Sequence, residues 1–199
     1  MKKDIHNPCN NVYNVILSRR SIRRFQQKHI DINILKKIVN AGRLAPSAAN
    51  LQPLKYFIVN EKKMCSKIFK TLGWAGYITP KWTPSKEERP TAYIIVLVTD
   101  INNKYYLRDV GFASENIVLA AEAENIGSCI LCKIAREKIR DILKIPKNLE
   151  VDSVVALGYK AEQPVIEDME ESVKYWRDEN MVLHVPKRKL EEIIYINKY

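Results

Sequence analysis

A mixed α+β architecture, a central mixed β-sheet flanked by helices, is the fold class this sequence predicts, and three observations carry it. Segments with helical hydrophobic spacing alternate with short β-branched runs, the longest helical segment (105–125) sits mid-chain, and no repeat or low-complexity linker divides the 199 residues. That length, with 46% hydrophobic residues, suits one substantial domain with a real core. The expectation is therefore a single domain over residues 1–199, with about 160–199 as an extended C-terminal segment.

The first helix opens at Asp31, a good N-cap, because Ile34, Leu35, Ile38 and Val39 recur at helical spacing up to Gly42. Tyr56–Val59 reads as a buried strand and Lys62–Leu72 as a second amphipathic helix. The Gly-, Pro- and aromatic-rich stretch Gly73–Pro84 predicts an excursion able to cover a pocket, with Trp74, Tyr77 and Trp82 as candidates for its lid. Thr91–Thr99, rich in β-branched residues, is the clearest strand. In the 105–125 helix Val110, Ala113, Ile117, Ala120 and Ala121 form the apolar stripe of a core helix, with Gly127 expected to stop it. Strands at about Cys129–Lys133 and at Ser153–Gly158 flank a short helix, Arg136–Leu143, that ends before Pro146; this makes about four strands. The tail from Lys160 is too polar to pack alone, so it is expected to wrap a partner subunit, with Ile193, Ile194 and Ile196 as anchors.

Several function classes lack their apparatus. The six glycines are too dispersed for a G-x-G-x-x-G fingerprint or a P-loop, and His-Glu-x-x-His and Gly-x-Ser-x-Gly are absent. Cys129-x-x-Cys132 lies in an apolar, strand-like run, without the second pair that a zinc site needs, so packing explains it better than metal or redox chemistry. The expected metal content is none. No apolar run approaches the roughly 20 residues of a membrane helix, and the first residues carry no secretory pattern; the expectation is a cytoplasmic protein with no membrane partner.

A net charge of +10 raises an anionic ligand or nucleic acid. The nucleic-acid reading finds no helix-turn-helix, zinc finger or RNA-recognition signature, and no aromatic residues interleave the basic clusters. In Ser18-Arg-Arg-Ser-Ile-Arg-Arg-Phe25 four guanidinium groups and two hydroxyls fall within seven positions, a donor set suited to a phosphate. Ala45-Pro-Ser-Ala-Ala-Asn-Leu-Gln-Pro53 places small residues and the polar Ser47, Asn50 and Gln52 between prolines. Small residues admit a flat ring, and carboxamides can both donate to and accept from a heterocycle edge.

These two stretches, about two dozen residues apart, closely resemble the N-terminal signatures of the nitroreductase family. The resemblance continues through Ala123-Glu-Asn-Ile-Gly-Ser-Cys129, Lys138–Pro146, Val154–Pro164 and the basic tail Val185-Pro-Lys-Arg-Lys-Leu-Glu-Glu-Ile-Ile194, and so covers nearly the whole chain. It implies a nitroreductase-like, FMN-dependent fold and a homodimer with FMN at the interface. Arg19, Arg20, Ser21 and Arg23 would bind the FMN phosphate and ribityl chain, and Lys187, Arg188 and Lys189 would close on the phosphate from the tail. Pro46, Ser47 and Asn50 would approach the flavin from the other subunit, with Gln52 close by, and Ile130 and Leu131 would lie beside the ring, where a backbone N–H can reach N5. Many members have a glycine soon after the cysteine of this strand; here the residues are Leu131-Cys132-Lys133.

The implied activity is reduction of a nitroaromatic, quinone or related acceptor with NADH or NADPH as donor in ping-pong order. The flavin carries the chemistry and no catalytic side chain is required. Other reactions on the same fold, such as dehalogenation, enone reduction or flavin binding alone, are the alternatives, because function resides in the site and not in the fold.

Overall fold

Four strands, β1 (Leu54–Val59), β2 (Ala92–Val98), β3 (Ile126–Leu131) and β4 (Glu150–Tyr159), form the central sheet in the order β1-β2-β4-β3. The computed structural model describes residues 8–198. The class is as expected, but every pairing in this sheet is antiparallel, which corrects the expected mixed sheet. The reason is topological. The crossover from β2 through α4 (Tyr106–Ala123) returns in parallel to β3, but β4 inserts between the two, so no parallel neighbours remain.

Both faces of the two inner strands are covered, which explains why β2 is apolar at every position and buried throughout. Tyr93, Ile95 and Leu97 face one layer with α3 (Lys62–Phe69) and α5 (Arg136–Leu143). Ile94, Val96 and Val98 face α2 (Ile32–Arg43) and α4. An irregularity between Val96 and Leu97 adds one residue to β4, so Val151 and Val154, three apart, reach the same layer.

The expected elements appear with shifted edges. The Asp31 carboxylate accepts from Asn33 N–H at 2.7 Å and caps α2. The strand expected at Tyr56–Val59 begins at Leu54 and is not fully buried: as an edge strand it alternates, with Phe57 exposed. The helix α4 ends at Ala123, and the left-handed residue after it is Asn125 (φ 57°), not Gly127. The next strand therefore starts at Ile126, three residues earlier than expected. Two elements were not foreseen: α1 (Pro8–Ser18), which packs on α4, and a small sheet in the tail expected to be irregular. There β7 (Leu183–Lys187) lies between β5 (Val165–Asp168, parallel) and β6 (Trp176–Arg177, antiparallel).

Gly127 serves a different purpose. It pairs directly with Gly158 of β4, and both lack the side chain that would project onto the α3 face of the sheet. Into that gap fall Ile22 and Phe25, both buried. A Cβ on Gly127 would stand 2.9 Å from Ile22 and one on Gly158 2.8 Å from Phe25. Ile22 N–H donates to Ser128 C=O (2.8 Å) and Gln26 N–H to Tyr159 C=O (2.8 Å), so the segment 21–26 is bonded to the sheet on both sides of the gap.

Gly158→Ala should lower stability by about 1–3 kcal/mol through overpacking against Phe25. Urea denaturation checks this against Gly76→Ala, whose Cβ meets nothing within 4 Å and whose stability should be nearly unchanged.

Candidate functional site

With Ile22 and Phe25 pinned, the arginines between and before them are presented along the rim of the sheet. Glu162, just beyond β4, accepts the backbone N–H groups of Arg23 (2.5 Å) and Arg24 (3.1 Å) and pairs with the Arg177 guanidinium at 2.7 Å; both side chains of that pair are 5% exposed. Arg24 is withdrawn into a pair with Glu88 (2.6 Å), and Arg19 lies 3.6 Å from Glu115. Arg20 and Arg23 are different: the Nε–H of each is buried without a hydrogen-bond partner. Burial, and then the charge of Arg19, push the Arg20 pKa below its ordinary value, so an added anion would be favoured there. Beside Arg20 runs an open groove of about 710 Å³, lined also by Ser18, Lys160 and Glu162.

The second predicted stretch, 45–53, is held by a residue that sequence reasoning missed. Asp109, in the first turn of α4 and 2% exposed, accepts from Ser47 Oγ (3.1 Å) and from Ala48 N–H (3.0 Å). Ser47 Oγ in turn accepts from Gln52 N–H at 2.9 Å. Ala49, Asn50 and Gln52 all take left-handed backbone (φ 50°, 54° and 49°), an unusual concentration of strain for residues other than glycine. The hydroxyl of Ser47 is thus committed to the loop, while the side chains of Pro46, Asn50 and Gln52 are exposed. An acidic residue in the first turn of the core helix was the signal available; its partner lay 61 positions away.

The third predicted element, the end of β3, is an edge. Ser128 C=O takes Ile22 N–H on the side away from β4, and alternation turns the N–H of Ile130, two residues on, to that same open side. Ile130 is exposed, whereas the Leu131 side chain turns into the core. Cys129 is buried, its thiol pushed up by that burial, and Cys132 is exposed. This agrees with packing for the first; among the described residues no metal-binding cluster exists.

Within one chain these elements are not all brought together. The loop is tied to α4 at Asp109, and the arginine segment meets the same helix at Glu115, through Arg19 (3.6 Å), and at Glu122, through Ser18 Oγ (3.1 Å). At about 1.5 Å per residue these two anchors stand roughly 9 and 20 Å from Asp109 along the helix. Lys187, Arg188 and Lys189 are exposed at the end of the tail sheet, and among the described contacts no hydrogen bond, ion pair or ring stack joins their side chains to the arginine segment.

The expected lid is divided. Trp74 is buried against Phe69 (ring centroids 5.7 Å) and belongs to the core, which corrects its assignment. Tyr77 is exposed and packs on Tyr175 of the tail (5.1 Å), whose ring carries the Arg23 guanidinium at 4.6 Å. Trp82 lies under Arg177 at 4.9 Å.

Residues 16–159 match the model of the nitroreductase family. The chain belongs to that family. Membership makes it a flavin oxidoreductase. This nitroreductase-family chain is 34% identical over 157 residues to a protein of Archaeoglobus fulgidus provisionally named NADH dehydrogenase/NAD(P)H nitroreductase, covering 75% of this chain and 85% of that one. In fold it resembles a crystal structure from Bacteroides thetaiotaomicron with the same provisional name (TM-score 0.70, 22% identity, 96% and 99% covered). It also resembles a Bacteroides fragilis nitroreductase with bound FMN (TM-score 0.63, 24% identity, 82% and 95% covered).

Asp109→Ala should leave Ser47 Oγ and Ala48 N–H without their buried partner and cost about 1–3 kcal/mol. Faster amide exchange confined to Ala48–Gln52, with the exchange of β2 unchanged, is the expected signature.

Proposed function

We propose that this chain works as a homodimeric, FMN-dependent oxidoreductase of the cytoplasm that draws on NADH or NADPH to reduce a nitroaromatic, quinone or related acceptor. The observation that carries the cofactor assignment is the pair of buried, unpartnered Nε–H donors on Arg20 and Arg23, on a segment bonded to the sheet, with Arg20 lining a groove wide enough for more than a free phosphate.

In this reading Arg19, Arg20, Ser21 and Arg23 hold the phosphate and ribityl chain, and Lys187, Arg188 and Lys189 add positive charge as the tail closes. The exposed Ile130 N–H at the open edge of β3 donates to the ring, and Leu131 fixes that edge from the core side. Pro46, Ser47 and Asn50 of the partner subunit, with Gln52 close by, supply the opposite wall. The flavin, when bound, supplies electron transfer between nicotinamide and acceptor, which occupy one face in turn. The protein's own part is to place that ring, surround it with fixed positive charge that favours an anionic reduced form, and limit access to it.

Dimerisation is supported by surface chemistry. On α1 Val12 and Tyr13 are more than 60% exposed and Ile16 and Leu17 about half, while Leu107 and Phe112 of α4 and Leu44 and Leu51 beside the loop are exposed as well. An apolar surface of this extent marks a protein interface. No described hydrogen bond or ion pair joins the exposed side chains of Pro46, Asn50 and Gln52 to the arginine segment of the same chain, which leaves them available to a second copy, and the exposed Ile193, Ile194 and Ile196 give the wrapping tail its anchors.

The purified protein should be yellow, elute at twice the 23.1 kDa chain mass, and lose its visible flavin bands on anaerobic titration with one of the two nicotinamides. A colourless protein, or bands that neither NADH nor NADPH bleaches, would sink the reading. Ile16→Glu, on an exposed face, should halve the mass in light scattering and release the flavin in the same step; flavin retained in full by the monomer would remove the shared site.

A further inference from the structure

A second cavity, of about 340 Å³, opens on the α3 side of the sheet, between α3, the turn at Lys86–Glu88 and the start of β2. It shares no lining residue with the elements assigned to FMN. Its volume falls within the roughly 300–1,000 Å³ typical of small-molecule sites.

Its floor is aromatic and carries unmet donors. Tyr93, the first large residue of β2, is fully buried, yet its hydroxyl has no hydrogen-bond partner. A buried hydroxyl left unpaired costs about 1–3 kcal/mol, so an acceptor at this position would be favoured. Beside it the Arg89 guanidinium stacks on the Phe69 ring at 4.1 Å, which fixes its plane, and the buried Arg89 Nε–H is likewise unpartnered. Arg89 is near enough to Tyr93 to oppose part of the rise that burial imposes on the phenol pKa. Both donors belong to residues that line this one cavity. Among the lining side chains Lys62, Lys86 and Arg89 are cations against a single carboxylate, Glu87.

We propose that this cavity is a binding site for a small aromatic carboxylate, its ring on the Phe69 and Tyr93 side and its carboxylate accepting from the Tyr93 hydroxyl and Arg89 Nε–H. A planar anion meets both donors at once, and the lysines at the mouth keep the balance of charge positive. A neutral isostere could take the aromatic contact but would lose the charge-assisted bonds.

The probe is benzoate, titrated calorimetrically into the protein as purified, with benzyl alcohol as the neutral isostere. Benzoate should bind once per chain, at least tenfold more tightly than benzyl alcohol, and without changing the visible flavin spectrum. Tyr93→Phe removes only an unpartnered oxygen, so its melting temperature should hold or rise while benzoate affinity falls at least fivefold. Lys86→Glu, an exposed change that leaves the core untouched, should weaken benzoate several-fold and benzyl alcohol little. Absent binding, equal affinity for the two probes, or unchanged affinity in Tyr93→Phe and Lys86→Glu would overturn the proposal, as would displacement of the flavin by benzoate. A colourless protein that still binds benzoate in this pattern would sink the FMN reading and leave this one standing.

Discussion

The facing glycines Gly127 and Gly158 are the constraint on which the rest of this structure depends. A sheet whose inner strands are apolar on both faces has no place for a polar segment unless something anchors it, and the missing side chains of this pair make the recess that Ile22 and Phe25 fill. Ile22 and Phe25 are three residues apart yet enter the same recess, so the chain between them departs from plain alternation and carries Arg23 and Arg24 on a segment fixed at both ends. Glu162 then completes the arrangement by accepting the Arg23 and Arg24 amides, so that the basic segment is held by apolar contact from within and by a carboxylate along its backbone. The positive charge that dominates the composition is thus concentrated by packing; Arg20 Nη1 donates to Leu17 C=O and Arg19 C=O and Arg23 Nη1 to Ser21 C=O, while the buried Nε–H of each is left without a partner.

That constraint also explains what could be read from the chain beforehand. The helices α2, α4 and α5 and the strand β2 were legible because each carries its own periodicity, and local pattern suffices where one face or both faces are buried. Gly127 was misread as a helix stop since its role lies in a partner 31 positions away, Gly158, and no local pattern encodes a cross-strand vacancy. The helix α1 was missed for the opposite reason. Its apolar residues are turned outward within one chain, so it obeys a burial rule that one chain does not satisfy. The tail sheet is too short in each strand, with only two residues in β6, to leave a period-2 signal.

At the site the two basic and polar motifs were legible by composition, whereas the residues that hold them were not. Asp109 and Glu162 are single carboxylates in otherwise ordinary surroundings, and their meaning comes from the groups the fold delivers to them. Ser47 shows the converse. Its hydroxyl reads as a ligand group, yet it both donates to Asp109 and accepts from Gln52 N–H, so it shapes a loop whose left-handed residues, Ala49, Asn50 and Gln52, present the exposed carboxamides. Strain of that kind persists only where the surroundings over-determine it, and Asp109 is the group that does so.

The 73–84 excursion depends on the same framework. Tyr77 of the 73–84 excursion meets Tyr175 of the tail, which meets Arg23; Trp82 of the same excursion meets Arg177 of the tail, which meets Glu162, which in turn holds the Arg23 amide. Two separate chains of contact therefore run from the excursion through the tail to one arginine. The Glu162–Arg177 pair is shielded from solvent, and a buried pair of this kind costs several kcal/mol when either member is removed alone, so the tail cannot lift from the arginine segment without exposing the excursion as well. Displacement of the tail therefore disturbs Tyr77 and Trp82 together with the segment that carries Arg23, and the excursion, the tail and the arginine segment behave as one linked unit.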